Sequence, residues 1–454
     1  WESCSQPLGI VFPALGNGTA CGRNGADGEI GTGFAWALKR YGVSLHSNLH
    51  ADMKSLRPLW VQIVTMMVAM FSMTAIQAYA KAEAEGDSLE VSLLTCTPGH
   101  EVYELYGHTA IRIYNMRTRS DLTFNYGVFS FGAPHFVWRF IKGETDYCLG
   151  VVPTAAFVAS YAEDGRGVTA QVLNLRQDEA HRLYDGLIQL ATQPDWTYRY
   201  NFFYDNCTTR AIADVERCVD GEVAWPTEVP ERTFRQIVTE FAAPRADWNR
   251  FGQDLLIGAE ADRSIGVREQ LFSPIYAQGF AAQARIRRAD GTTRPLVREQ
   301  LVLTAAAGDV AQPSWFTPLT ATGALFLLCL ALTAWGWRRG RALRWADNTL
   351  LLMQGVIGLP VAFLFLFSTH PTVGSNMLIL WLNPLPLLYL PWKIWRNTHH
   401  RPDGFGYAAG ISVGLTVAAG LLAGQRFPAE VWLLMATYAT RALHAGYLQL
   451  QQKP

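Results

Sequence analysis

In a chain of 454 residues, 38 Lys and Arg balance 38 Asp and Glu, so no whole-chain basic field exists to hold nucleic acid. Half of the residues are apolar, 15 are Trp and 17% are charged, against about 25% in soluble domains, which excludes a disordered chain and points toward a membrane. Seven Cys over this length are too few for a disulfide scaffold.

Residues 1–52 carry scattered Gly and polar residues, the isolated Cys4 and Cys21, and no hydrophobic period, and are expected to be untranslated or unstructured upstream sequence. Residues 53–80 then run from Met53 through Lys54 and Arg57 and an apolar stretch, Leu59–Ile76, to Ala78-Tyr79-Ala80. A basic start, an apolar middle and an A-x-A ending describe a secretory signal peptide cleaved after Ala80; an uncleaved membrane helix is the alternative. Either way the following segment is exported.

Residues 81–315 read as one α+β domain. Leu89–Thr95 alternates weakly, as a strand does, and His108–Tyr114 with Leu122–Val128 reads as two strands joined by a polar turn holding Asn115, Ser120 and Asp121. Gln177–Ala191 has helical apolar spacing and an acidic start, and Cys207–Cys218 is a second helix, entered through the capping residues Asp205-Asn206.

Over residues 316–454 apolar stretches of spanning length recur, at about 319–337, 349–367, 376–392, 407–424 and 429–448. The first connection holds Arg338, Arg339, Arg341 and Arg344 and the third Lys393, Arg396 and Arg401, whereas Ser368–Ser375 has no Lys or Arg and the fourth only Arg426. The positive-inside rule places the basic loops in the cytoplasm and residues 81–315 outside.

Two spots in the exported part can carry chemistry: Tyr106-Gly107-His108-Thr109 at the mouth of a strand and Asn206-Cys207-Thr208-Thr209 at the mouth of a helix. A helix N-terminus lowers a thiol pKa and offers backbone N–H groups to an oxyanion, and a nearby His supplies a base. Spacing equally allows Cys96, Cys148, Cys207 and Cys218 to form two disulfides.

The strings Gly107-His108-Thr109-Ala110-Ile111-Arg112, Phe124-Asn125-Tyr126-Gly127 and Tyr200–Arg210 (YNFFYDNCTTR) resemble the Lnb family of bacterial lipoprotein N-acyltransferases. Asp254–Gly258, Ala261-Asp262-Arg263 and Phe272-Ser273-Pro274 add to the resemblance, which covers about residues 89–450; residues 1–52 have no counterpart. It implies a permuted papain-like (NlpC-like) α+β exported domain, in which His precedes Cys, followed by an all-α transmembrane bundle of about five helices in the bacterial inner membrane.

By the same resemblance Cys207 is the nucleophile and His108 the general base, carrying an acyl chain from a membrane phospholipid as a thioester to the N-terminal amine of a lipidated lipoprotein. No cofactor and no metal are called for. Asn125 is the first choice for the group that orients His108, with Asp121 and Glu104 in reserve. Asn206 borders the nucleophile, Thr208 and Thr209 present oxyanion-hole amides, and Tyr126, Phe203 and Tyr204 wall an acyl pocket. Arg210 reads equally as a surface charge. In the bundle, His370, Asn376, Asn383, Arg441 and His444 are polar groups that apolar surroundings make costly. Arg441 and His444 share a helix face and suit a lipid phosphate or an interhelical hydrogen bond. The runner-up functions are a membrane-anchored NlpC-like peptidase or amidase, and a non-catalytic, disulfide-stapled sensor or scaffold.

Overall fold

The computed structural model describes residues 88–129, 135–194, 196–308 and 314–451, so the expectations for residues 1–52 and for a signal peptide over 53–80 lie outside the described residues. Seven strands build the main sheet: β1 (Leu89–Cys96), β2 (His108–Asn115), β3 (Asp121–Val128), β4 (Asp146–Pro153), β5 (Val168–Leu173), β6 (Tyr198–Arg199) and β7 (Val297–Thr304). Their spatial order is β7-β5-β1-β2-β3-β4-β6, with every neighbouring pair antiparallel.

The β2–β3 hairpin turns where its sequence says it will. Asn115 Oδ1 accepts the N–H groups of Arg117 and Thr118, both at 3.0 Å, an Asx turn that closes the loop. In the middle of the sheet both faces are covered. Leu89, Val91, Leu93, Ile111, Ile113, Phe124 and Tyr126 pack with Leu183, Leu187, Ile212 and Val215 of α3 (Gln177–Thr192) and α4 (Cys207–Cys218). On the other face, Leu94, Ala110, Val168 and Ala170 pack with Phe157 and Tyr161 of α2 (Thr154–Glu163). Two-sided burial explains why β1 alternates so weakly in sequence. Between β3 and β4 the chain forms a short helix, α1 (Phe136–Lys142).

After the sheet come α7 (Pro318–Arg339), α8 (Arg344–Phe367), α9 (Leu385–Thr398), α10 (Phe405–Ala423) and α11 (Ala429–Gln451). Four segments among the described residues are long and apolar enough to cross a membrane: α7, α8, Met377–Thr398 and α10. The fifth expected span, α11, is a 23-residue helix but falls short in apolarity, because it turns Glu430, Thr437, Arg441 and His444 inward to buried positions. The third span is broken rather than continuous. A 3-10 turn, Met377–Leu380, stops before Asn383-Pro384, and the Asn383 side chain satisfies Ile379 O (2.9 Å) and Leu385 N (3.0 Å) that the break frees.

Two exported helices, α5 (Phe234–Ala242) and α6 (Asp247–Leu256), dock on this bundle through buried charge. Arg235 bonds Asp254 and Asp262, each at 2.8 Å, and Asp262 also accepts the Arg426 N–H at 3.0 Å. Arg250 bonds Asp247 (2.6 Å), Asp254 (2.8 Å) and Glu430 of α11. Asn376, fully buried, donates to Leu255 O at 2.8 Å, and the Gly258 N–H donates to Thr372 O at 2.7 Å. A Cβ on Gly258 would stand 2.3 Å from Asn376 N, so the contact admits glycine alone. Arg235→Ala leaves Asp262 buried without its guanidinium partner and is expected to cost about 3–5 kcal/mol. The expected readout is a lower midpoint of thermal unfolding in detergent; an unchanged midpoint would show that the Arg235 pairs contribute nothing to stability.

Candidate active site

Local sequence builds the α4 end of the site. Asn206 holds an extended conformation (φ −121°) and caps the helix, its Oδ1 accepting from Thr208 N and Thr209 N, both at 2.9 Å. Thr209 Oγ1 in turn accepts the Asn206 N–H at 2.8 Å, a reciprocal capping box. The Asn206 Nδ2 donates to Phe202 O (2.9 Å) and Phe272 O (2.8 Å), so the cap is itself fixed to a cluster of Phe202, Phe203, Phe234 and Phe272 rings. Cys207 is thereby set as the first helical residue, where the dipole favours a thiolate.

The β2 end is set by Gly107. Its φ of +78° belongs to glycine, and a Cβ there would lie 2.6 Å from Cys96 O. The turn delivers His108 to the first position of β2, opposite Cys96. From β3, Asn125 Oδ1 meets His108 Nε2 at 2.5 Å. The other ring nitrogen is left for Cys207, and the two side chains stand together over Gly127, where Cys207 Cβ and His108 Cε1 each lie 3.9 Å from the position a Cβ would take. The reserve choices are occupied elsewhere: Asp121 pairs with Arg112 at 2.7 Å and Glu104 with Arg166 at 2.8 Å.

Electrostatics single out one thiol. Burial pushes the Cys96 and Cys218 thiols up to about 12. Burial also raises Cys207, but the charge of His108, a hydrogen bond with its ring and the Thr109 backbone N–H outweigh it, and the thiol falls to about 7. Burial lowers His108, and the Cys207 thiolate together with the hydrogen bond to Asn125 more than restores it, so the imidazole sits above its ordinary value. The pair therefore favours thiolate and imidazolium. Cys96, Cys207 and Cys218 are free thiols, which removes the disulfide-stapled alternative for Cys207.

Two expectations about the surroundings need correction. The Thr208 and Thr209 amides are consumed by the Asn206 cap and are not available to an oxyanion. The cap does not use the N–H of Cys207, and the Thr109 N–H, which the sequence reading missed, already points at the sulfur. Thr208 instead offers its hydroxyl, 3.8 Å from Cys207 Sγ and 3.1 Å from Thr109 Oγ1. Tyr126, Phe203, Tyr204 and Thr209 do share the wall of one cavity, of about 470 Å³, but neither Cys207 nor His108 lines it. Arg210, Asp214 and Arg217 also line it, and Tyr126 donates to Asp214 at 2.5 Å, so its wall is charged and ill suited to an acyl chain. Arg210 is no free surface charge; it pairs with Asp205 at 2.6 Å and covers the Tyr198 ring at 3.7 Å.

Arg441 and His444 are not brought to Cys207. Arg441 is fully buried between α7, α8 and α11, bonded to Asp347 at 2.8 Å and Thr333 at 3.0 Å, which is the interhelical alternative. Thr333 lies 15 residues along α7 from Pro318, roughly 22 Å from the end of the helix nearer the exported domain. His444 packs against Gly336, where a Cβ would lie 3.0 Å from its ring. Of the remaining bundle polars, His370 faces Phe140 O at 3.3 Å.

Two family models match the chain in order: the Lnb N-terminal periplasmic domain over residues 75–239 and the Lnb transmembrane domain over residues 310–453, together about two thirds of the sequence. The chain belongs to the Lnb family. No curated protein and no solved structure matches it. Family membership makes this a membrane protein with a periplasmic domain and points to acyl transfer in lipoprotein maturation. Within the periplasmic match fall His108, Asn125 and Cys207; the docking residues Asp254, Gly258 and Asp262 lie between the two matches.

The coupling of the pair gives a direct test. Alkylation of Cys207 by iodoacetamide, followed by mass spectrometry across pH, is expected to rise with a midpoint near 7. In His108→Ala the opposing charge is gone and burial acts alone, so the midpoint moves above the ordinary thiol value of about 8.5. A midpoint that stays near 7 in the variant would refute the pairing.

Proposed function

We propose that this protein is a lipoprotein N-acyltransferase of the bacterial inner membrane that moves an acyl chain from a phospholipid, through a Cys207 thioester, to the N-terminal amine of a lipidated lipoprotein. The observation that carries the reading is the contrast among three buried thiols: Cys207 alone is held low, by His108, at a capped helix N-terminus. His before Cys in the chain, His on an antiparallel sheet and Cys at a helix start support a permuted papain-like arrangement.

In the first half-reaction the Cys207 thiolate attacks an ester carbonyl of the phospholipid. The C–S bond forms, the ester C–O bond breaks, and the lysophospholipid alkoxide leaves with the proton of the His108 imidazolium. Asn125 holds the ring by Nε2 and keeps it turned toward sulfur through both steps. In the second half-reaction the lipoprotein amine attacks the thioester. The C–N bond forms, the C–S bond breaks, His108 takes the amine proton, and the thiolate and imidazolium are restored. The Cys207 N–H, which the helix cap leaves unused, and the Thr208 hydroxyl, 3.8 Å from the sulfur, are the donors offered to the oxyanion of either intermediate, while the Thr109 N–H is engaged by the sulfur itself.

Cys207→Ser is expected to lower N-acylation by about a thousandfold or more with the fold intact, since the alcohol is a far weaker nucleophile beside an imidazole alone. His108→Ala should fall as far, and the double variant scarcely further, because both act in one unit. Cys218→Ser, whose thiol is a buried neutral group, should keep full transfer. Mass spectrometry of lipoprotein N-termini, and of a hydroxylamine-labile acyl adduct on Cys207, reads all four. Transfer retained in Cys207→Ser, or release of cell-wall peptides in place of transfer, would sink the proposal.

A further inference from the structure

The connection between β3 and β4 carries a surface that the catalytic reading does not use. In α1, Trp138, Phe140 and Ile141 are 55%, 49% and 37% exposed, an unusual display for a helix of seven residues in an exported domain. The basic side chains of the same helix are turned away into ion pairs, Arg139 with Asp146 at 2.5 Å and Lys142 with Glu144 at 2.6 Å. Its outer surface is left apolar and aromatic.

The placement of α1 is fixed by bonds to the bundle. Trp138 packs on Phe363, in the last turns of the spanning helix α8, with ring centroids 4.8 Å apart. The C-terminal carbonyls of α1, which a helix leaves without partners of its own, are taken by the loop after α8. Thr369 N donates to Lys142 O at 2.8 Å, Thr369 Oγ1 reaches Lys142 O and Gly143 O at 3.0 and 3.2 Å, and His370 meets Phe140 O. Gly143, at φ +76°, makes this approach possible, since a Cβ there would stand 2.8 Å from Thr369 Oγ1. The exposed side chains of α1 thus continue the exposed apolar surface of α8, Leu359, Leu366 and Phe367, off the end of the span. Elsewhere on the molecule, at the start of α7, Trp248 packs on Phe316 at 5.2 Å next to the exposed Trp315. Aromatic residues collect where a span meets the membrane–water boundary.

We propose that α1 is an in-plane membrane anchor whose Trp138, Phe140 and Ile141 lie in the outer face of the lipid bilayer. The occupant of this surface is lipid, because the surface is continuous with that of a helix that crosses the membrane. Since α1 joins β3, which carries Asn125, to β4, its depth sets the height of the Cys207–His108 pair above the acyl chains.

The test needs no activity. In a Cys207→Ser background, Ile141→Cys and, separately, Trp138→Cys carry an environment-sensitive nitrobenzoxadiazole label, with the parent protein treated in parallel as the control for the remaining thiols. The proteins are placed in phosphatidylcholine nanodiscs with or without lipid bearing a nitroxide at carbon 5 of the acyl chain. The expected result is quenching of both labels by the nitroxide lipid, at least twofold, with little quenching by aqueous iodide. Quenching of both by iodide and by no lipid would overturn the anchor and leave a surface for a protein partner instead. The nucleophile is absent from the test, so this result and the acyl-transfer result fail independently.

Discussion

Two buried guanidinium groups, Arg235 and Arg250, hold the arrangement together. Taking a cation out of water costs several kcal/mol, and the loss is offset only where every partner is in place. Here the partners come from different parts of the chain: Asp254 and Asp262 from the exported domain, Glu430 from the first turn of α11, and the Arg426 N–H, which shares Asp262. Neither domain satisfies the set alone. Arg235 finds its side-chain partners within the exported domain, but an exported domain swinging on its linker would strand Glu430 without Arg250 and part the Arg426 N–H from Asp262, so the network favours the docked geometry. Gly258 then closes the same interface with a backbone contact that tolerates no Cβ, and the Asn376 side chain donates across it to Leu255 O.

From that fixed interface the site follows in a short chain of contacts. Asp254 and Asp262 hold Arg235, the neighbouring Phe234 ring packs on Phe272 at 5.3 Å, the Phe272 carbonyl holds the Asn206 side chain, and Asn206 caps the helix that starts at Cys207. The cap has two effects that pull in different directions. It rigidifies the helix start, which favours a low thiol pKa, and it uses up two amides that would otherwise face an oxyanion. From β2, the Thr109 N–H and the charge of His108 add to the stabilisation of the thiolate.

Legibility in the sequence followed range. The α4 helix, its cap and the β2–β3 hairpin were readable because capping residues, turn residues and period all act within a few positions. The strands β4, β5 and β7 were not anticipated; β5 and β7 pair across more than a hundred residues, and the side chains of β7 are largely exposed, so no apolar alternation marks it. Asn125 was chosen over Asp121 and Glu104 from strand position, and the structure separates the three by partner: one meets His108 and two meet arginines. The residues Asp254, Gly258 and Asp262 stood out as motif without a role, because their role is to meet Arg235, Arg250, Thr372 and Asn376 across the fold.

The bundle repeats the same logic at its other end. Arg441 pairs with Asp347 and Lys393 with Asp403 at 3.4 Å, all four nearly inaccessible, at the ends of the spans that carry the basic loops. A simple anchor needs none of these charges, and each would be expensive in an apolar bundle if its partner moved. Together with Glu430 at the opposite end of α11, they tie α11 to α8 at one end of the bundle and to the exported domain at the other. That fixes the position of α11 through buried polar contacts at both of its ends. A bundle specified at both ends is a rigid base, and a rigid base suits the proposed transfer between a membrane-bound donor and acceptor, since it holds the nucleophile at one place relative to the bilayer.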